Sequence, residues 1–147
     1  MLSKDNVLEV EITRKVECSK EIAKWNYWDH EHLDVVHGGY ESVDTLYDAD
    51  NFCFTYTRVK IPVIPFLSSM TPLFLVQHDE FTQFTYAIQF GVVSRTTIKI
   101  EEITTDSCRI TMNYKFHLNG WKKLLSPILK YLIPVWNKKV WVEDLPV

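Results

Sequence analysis

Asp29, His32 and His37 stand in the spacing D-x2-H-x4-H, inside a stretch (25–39) that holds three of the chain's five histidines and two of its four glycines. Two imidazoles and a carboxylate are the donor set that holds a mononuclear non-haem iron with coordination positions left open. Glu31 and Asp34 are further carboxylates close by. On a regular helix Asp29 and His32 share a face, whereas His32 and His37 lie about 140° apart. The two histidines converge only if the backbone unwinds after about Leu33, and Gly38-Gly39 supplies a chain flexible enough for that. Without such a break, the cluster reads as a solvated helix end at a glycine stop, with one histidine over the last carbonyls.

Other groupings carry less chemistry. Ser68-Ser69, His78 and Asp79 are the residue types of a nucleophile, base and acid, but no nucleophile elbow surrounds either serine. His117 shares a strand-like run with Tyr114 and Phe116 and reads as a core or rim histidine. Trp25, Trp28, Trp121, Trp136 and Trp141 read as core or cavity lining. Lys122, Lys123, Lys130, Lys138 and Lys139 form the solvated face of a late helix, for which an acidic membrane surface is the other reading.

These residues need elements to position them, and the totals bound what those can be. A chain of 147 residues is expected to form one domain, 1–147, with a single core. The aromatic share of 14% suits an apolar pocket, and a net charge of −3 offers no field for nucleic acid. Three cysteines without a C-x-x-C pair, and a polar start at Met1-Leu2-Ser3-Lys4-Asp5, predict a reducing, cytoplasmic setting. The most apolar run, Ile61 to Val76, is interrupted by Pro62, Pro65 and Pro72 and is too short to span a bilayer.

Leu8, Val10, Ile12, Val16 and Cys18 alternate with Glu9, Glu11, Thr13, Lys15 and Glu17, which predicts a half-buried strand in which Arg14 interrupts the apolar face and snorkels to water. Ser19 is placed to cap a helix with Glu21 in its first turn, running to about Gly38-Gly39. Tyr40–Tyr47 and Phe52–Ile61, joined by Asp48-Ala49-Asp50-Asn51, predict a hairpin. Beyond the prolines, Leu73–Val76, Phe81–Gln89, Val92–Ile103 and Cys108–Leu118 predict further strands. Trp121 to about Asp144 predicts a long helix that Pro127 and Pro134 kink or divide. The expected fold class is α+β: six or seven antiparallel strands in a curved sheet wrapped around the long C-terminal helix.

That order resembles the helix-grip fold of the START and polyketide-cyclase (SRPBCC) superfamily, whose members enclose an apolar cavity between sheet and C-terminal helix. The spacing D-x2-H-x4-H, followed far downstream by Val142-Glu143-Asp144, resembles the catalytic domain of Rieske-type aromatic-ring-hydroxylating oxygenases, itself a helix grip. The resemblance implies iron ligands at His32, His37 and Asp144, with Asp29 as the neighbouring bridging aspartate and candidate catalytic group. Helical phase alone does not separate Glu143 from Asp144. One departure is plain: Cys18, Cys53 and Cys108 offer none of the C-x-H and C-x-x-H pairing of a Rieske cluster. Electrons for any Fe(II) site would come from a separate electron-transfer protein or from the substrate. The expectation is therefore a protein that binds a hydrophobic or aromatic small molecule, with a two-histidine, one-carboxylate metal site at the cavity mouth. The alternatives are a metal-free cyclase or dehydratase using His or Asp as acid-base, an iron-dependent oxygenase, or a vestigial constellation in a carrier.

Overall fold

The computed structural model describes residues 6–29, 35, 37–61 and 64–144, except for the side chains of 61, 64, 65, 143 and 144. The alternating segment forms β1 (Val7–Val16), with Leu8 and Val16 buried and Glu9, Glu11, Thr13 and Lys15 exposed. Ser19 then caps α1 (Lys20–Trp28), its hydroxyl accepting from the Ile22 N–H at 3.4 Å. Six strands follow: β2 (Tyr40–Ala49), β3 (Phe52–Ile61), β4 (Ile64–Asp79), β5 (Thr82–Gln89), β6 (Val92–Thr104) and β7 (Ser107–His117). The long helix α2 (Ser126–Asp144) ends the chain after a 3-10 segment, Gly120–Leu125.

The seven strands form one antiparallel sheet in the order β1-β7-β6-β5-β4-β3-β2. From β2 to β7 each strand pairs with the next, and β1 returns to the far edge against β7, from Val7 opposite His117 to Val16 opposite Cys108. Two-residue turns make four of these reversals, at Asp50-Asn51, Glu80-Phe81, Phe90-Gly91 and Thr105-Asp106. At Phe90-Gly91 both residues have positive φ, +50° and +68°, the conformation of the hairpin turn whose twist matches the flanking strands. Phenylalanine is a poor occupant of that region because its Cβ crowds the carbonyl. Lys122 ties the turn down by donating to the Gly91 carbonyl at 2.6 Å.

Both helices lie on the concave face. Ala23 of α1 and Trp141 of α2 join Val16, Ile98, Ile100, Cys108, Ile110 and Met112 in the main core, and Leu8, Phe116 and Leu118 form a smaller one beside Leu129 and Ile133. A fully buried Leu or Ile contributes about 1.5–3 kcal/mol, so Ile110 and Leu118 are strong anchors of this half of the sheet.

Three expectations need correction, and a fourth, the division of the C-terminal run at its prolines, is met at one of the two. The first helix stops at Trp28 rather than running toward the diglycine, and Asp29 caps it in an extended conformation (ψ 96°). Asp29 therefore stands at the end of that helix, and His32 lies outside the described residues. Pro65 and Pro72 do not precede the fourth strand but lie in it, since β4 begins at Ile64; Pro62 lies outside the described residues. Pairing with β5 starts only at Leu73, so at Pro72 the ladder runs on the β3 side alone and a missing N–H is tolerated. The C-terminal helical run is divided before Pro127, which occupies the first turn of α2 where its missing N–H is harmless, while Pro134 is accommodated inside it. Arg14, finally, points to the helix side, its guanidinium 5.3 Å from the centre of the Trp141 ring.

Candidate functional site

Cross-strand partners share a face, so the register identifies the inner wall. Starting from the core pair Ile98 and Met112, the same face runs through Gln83 on β5, Gln77 and Leu75 on β4 and Cys53 on β3. On β3 the outcome is inverted relative to simple patterning. Cys53, Thr55 and Thr57 are buried inward, whereas Phe52, Phe54 and Tyr56 lie on the convex face, where Phe54 stacks on Phe74 at 4.5 Å. Thr71 pairs with Thr57 and is also buried, as is Gln83. The sheet thus has an apolar inner half at β1, β7 and β6 and a polar inner half at β3, β4 and β5.

A polar group inside a protein is costly unless it is hydrogen-bonded. The Thr55 and Thr57 hydroxyls serve each other at 3.4 Å, and the Gln83 amide donates to Thr85 Oγ1 at 3.4 Å. Thr71 Oγ1 is different: its residue is 4% exposed and the oxygen has no hydrogen-bond partner among the described residues. At the end of this wall, under α1, Lys24, Tyr27, Gln77, Phe81, Gln83, Ile98 and Ile100 line a shallow hollow of about 10 Å³, open to solvent and large enough for about one water.

The helices are held over the wall by hydrogen bonds of their own. Trp141 Nε1 donates to Tyr27 Oη at 2.6 Å, joining the C-terminal ends of α1 and α2. Tyr114 Oη donates to Asn137 Oδ1 at 2.9 Å, and Asn137 Nδ2 donates to the Ile133 carbonyl at 3.0 Å. Burial pushes the Tyr114 phenol far above its ordinary range, so it stays protonated and acts as a donor rather than a base. Burial likewise pushes the Cys108 thiol up to about 11 and raises Cys18 beside it; neither is a reactive thiolate.

His37 is 1% exposed, with its ring 6.0 Å from that of Tyr40, which in turn lies 6.4 Å from Trp136. Of the two glycines that follow His37, Gly39 is required for close packing, while Gly38 has open space beside it. A Cβ on Gly39 would collide with the Trp136 ring, and Lys60 holds both glycines, its backbone N–H on the Gly39 carbonyl at 2.8 Å and its ammonium on the Gly38 carbonyl at 3.1 Å. His32, with Glu31 and Asp34, lies outside the described residues. Asp144 is described only as the last residue of α2, and the side chains of Glu143 and Asp144 lie outside the description. Among the described residues no three His, Cys, Asp or Glu side chains gather to hold a metal ion.

The Ser68-Ser69, His78 and Asp79 grouping is dispersed. All four lie on β4, where nine residue steps separate Ser69 from His78 by about 30 Å. His78 packs on Phe84 at 4.9 Å, and Asp79 accepts the Phe81 N–H at 3.0 Å. His117 closes β7 with its Nδ1 buried and without a hydrogen-bond partner among the described residues. Thr71, Gln83, Tyr114 and Asn137 were not singled out from the sequence. For Thr71 and Gln83 the signal was the polar side of the alternation in β4 and β5, which only the sheet register assigns to the interior; Tyr114 on β7 and Asn137 on α2 had no such signal.

No known family matches the chain in sequence, and no curated protein does. Solved structures do match in shape. The Zhui aromatase/cyclase from Streptomyces sp. R1128 superposes with a TM-score of 0.73 at 9% identity, covering 95% of this chain and 89% of that one. A START superfamily protein from Mycobacterium smegmatis gives 0.73 at 15% identity, covering 90% of each chain. A truncated norcoclaurine synthase from Thalictrum flavum gives 0.64 at 16% identity, covering 92% of each. At such identities the likeness is one of fold, and these structures do not carry the resemblance to ring-hydroxylating oxygenases. The chain has the helix-grip fold of START and polyketide-cyclase proteins.

Proposed function

We propose that this protein binds a hydrophobic or aromatic small molecule bearing an oxygen substituent, held between the polar inner half of the sheet and α2. The observation that carries this is the buried Thr71 hydroxyl, which has no hydrogen-bond partner among the described residues and sits in a wall of Thr55, Thr57 and Gln83. A ligand oxygen or hydroxyl there would recover a hydrogen bond that the folded chain forgoes, while Trp136 and the aliphatic wall take the apolar body. The aromatase/cyclases and the synthase of the same fold support a small-molecule site, and a metal-free cyclase or dehydratase is the catalytic form of this reading. We place the protein in the cytoplasm, in keeping with its three reduced thiols. Mass spectrometry of purified protein denatured in organic solvent tests the proposal. A stoichiometric oxygenated apolar molecule is expected from wild type and less from Thr71→Val; equal recovery from both, or none from either, refutes it.

A second reading keeps the metal. The Trp141–Tyr27 hydrogen bond and the Trp136–Gly39 packing bring the C-terminal half of α2 against the segments that flank residues 30–36, which supports His32, His37 and Asp144 as neighbours. Two imidazoles and a carboxylate suit ferrous iron, and the buried His37 ring is a fitting donor. Bound iron would supply oxygen activation, with electrons from a separate protein or the substrate, while this chain's contribution is to orient the apolar substrate and exclude water. Anaerobic incubation with ferrous iron followed by metal analysis is expected to give one iron per chain in wild type and none in a His32→Ala, His37→Ala double variant. Wild type that stays empty refutes this second reading and leaves the first intact.

A further inference from the structure

The outer surface of α2 has features that neither a carrier nor a cyclase requires. From Gly120 to Val142 the chain has five lysines and no acidic residue, although its net charge is −3. The same segment leaves large apolar side chains in water: Trp121, Leu124 and Tyr131 are each more than 70% exposed, and Ile128, Val135 and Val142 more than half. Ile128, Tyr131, Val135 and Val142 follow one another at intervals of three, four and seven, which places them on one stripe of the helix. At 100° per residue, Lys138 and Lys139 flank that stripe on either side. Lys123 and Lys130 are exposed along the same segment, while Lys122 is engaged with the turn at Gly91.

An isolated exposed apolar residue is ordinary, but a continuous ridge of them is not. A ridge rimmed by lysines, with Trp and Tyr in it, is the composition of a helix lying in the interfacial layer of a bilayer. There the apolar side chains enter the acyl boundary and the ammonium groups meet lipid phosphates. Nucleic acid or an acidic protein would use the lysines and leave the ridge without purpose. Among the described residues no helix is long and apolar enough to cross a membrane, so the contact would be along the surface.

We propose that the exposed face of α2 and the preceding 3-10 segment docks the protein on bilayers rich in anionic phospholipid. This contact does not depend on what the concave face holds. Each lysine near an anionic surface strengthens partitioning about fivefold, so loss of two is expected to weaken it about 25-fold.

The test is co-sedimentation with vesicles of phosphatidylcholine alone and of phosphatidylcholine with 30% phosphatidylserine, at low and at 0.5 M salt. Binding is expected only to the anionic vesicles, weakened by salt. It should weaken about 25-fold in Lys138→Gln, Lys139→Gln and tenfold or more in Ile128→Ser, Tyr131→Ser, both exposed pairs whose folding circular dichroism confirms. Absence of binding, equal binding to both vesicles, or undiminished binding by either double variant overturns the proposal. So does an Ile128→Ser, Tyr131→Ser protein that keeps full affinity for heparin while wild type ignores vesicles, because the surface would then serve a polyanion.

Discussion

The sharpest prediction concerns Thr71. Its hydroxyl is buried without a hydrogen-bond partner among the described residues, and a buried, unsatisfied polar group costs about 1–3 kcal/mol. Thr71→Val replaces that hydroxyl with a methyl of similar shape, so ligand-free protein should become more stable by about 1 kcal/mol or more. For a domain of this length that corresponds to a rise of about 2–4 °C in Tm. Thr57→Val is the matched control, because the Thr57 hydroxyl is bonded to Thr55 at 3.4 Å. Removing it also orphans its buried partner, and a loss of about 1–2 kcal/mol is expected. The assay is urea denaturation of protein unfolded in guanidinium, extracted with organic solvent and refolded, so that no ligand remains. With ligand restored the order should reverse for Thr71, since the wild-type hydroxyl then has its partner and the valine does not. If ligand-free Thr71→Val is destabilised as much as Thr57→Val, the hydroxyl is already satisfied within the fold and the argument for a polar binding wall fails.

Three further outcomes follow from features of the fold. Phe90→Asn should relieve the positive φ at the β5–β6 turn and raise the urea midpoint by an amount equivalent to about 1 kcal/mol; an unchanged midpoint would mean that the turn absorbs the strain. Tyr27→Phe and Trp141→Phe, combined in a double-mutant cycle, should show a coupling of about 0.5–1.5 kcal/mol from their 2.6 Å hydrogen bond, and purely additive losses would show that it contributes nothing. For Cys108, burial raises the thiol from 9.0 to about 11, so between these values the native state keeps a proton that the unfolded chain has released. Its contribution is fully present below about pH 9 and lost as pH rises toward 11. Cys108→Ala should therefore flatten the decline in stability over pH 9–11, and a decline as steep as that of wild type would remove Cys108 from the account.

The strands were legible where one face is charged and the other apolar, as in β1, and where a two-residue turn separates alternating runs. β4 was less so, because three prolines argue against a strand unless one side of the ladder is known to be open. The end of α1 was misread because helical periodicity continues past Trp28, and nothing local in the sequence announces that Asp29 leaves the helix. The diglycine suggested freedom, but Gly39 serves contact: it is small because Trp136, nearly a hundred residues later, packs against it. For the same reason the polar wall was out of reach. Phe54 and Thr55 are equally good strand residues, and which of them faces inward is decided by pairing across the whole sheet, not by either residue. The histidine spacing was visible at once, yet its meaning depends on partners at the other end of the chain.

The pairing of β1 with β7 orders events during synthesis. Strands β2 to β7 are a run of neighbours that can zip together as they emerge, each needing only the one before. β1 leaves the ribosome first and has no partner until β7 appears about 100 residues later, a delay of about 5–20 s at ordinary elongation rates. Throughout that interval it is an alternating strand with both edges open, the form most prone to pair with another chain. Glu9, Glu11, Lys15 and Glu17 face water in the finished protein and engage Asn113, Lys115 and one another there; on the nascent strand the same charges disfavour pairing with another copy.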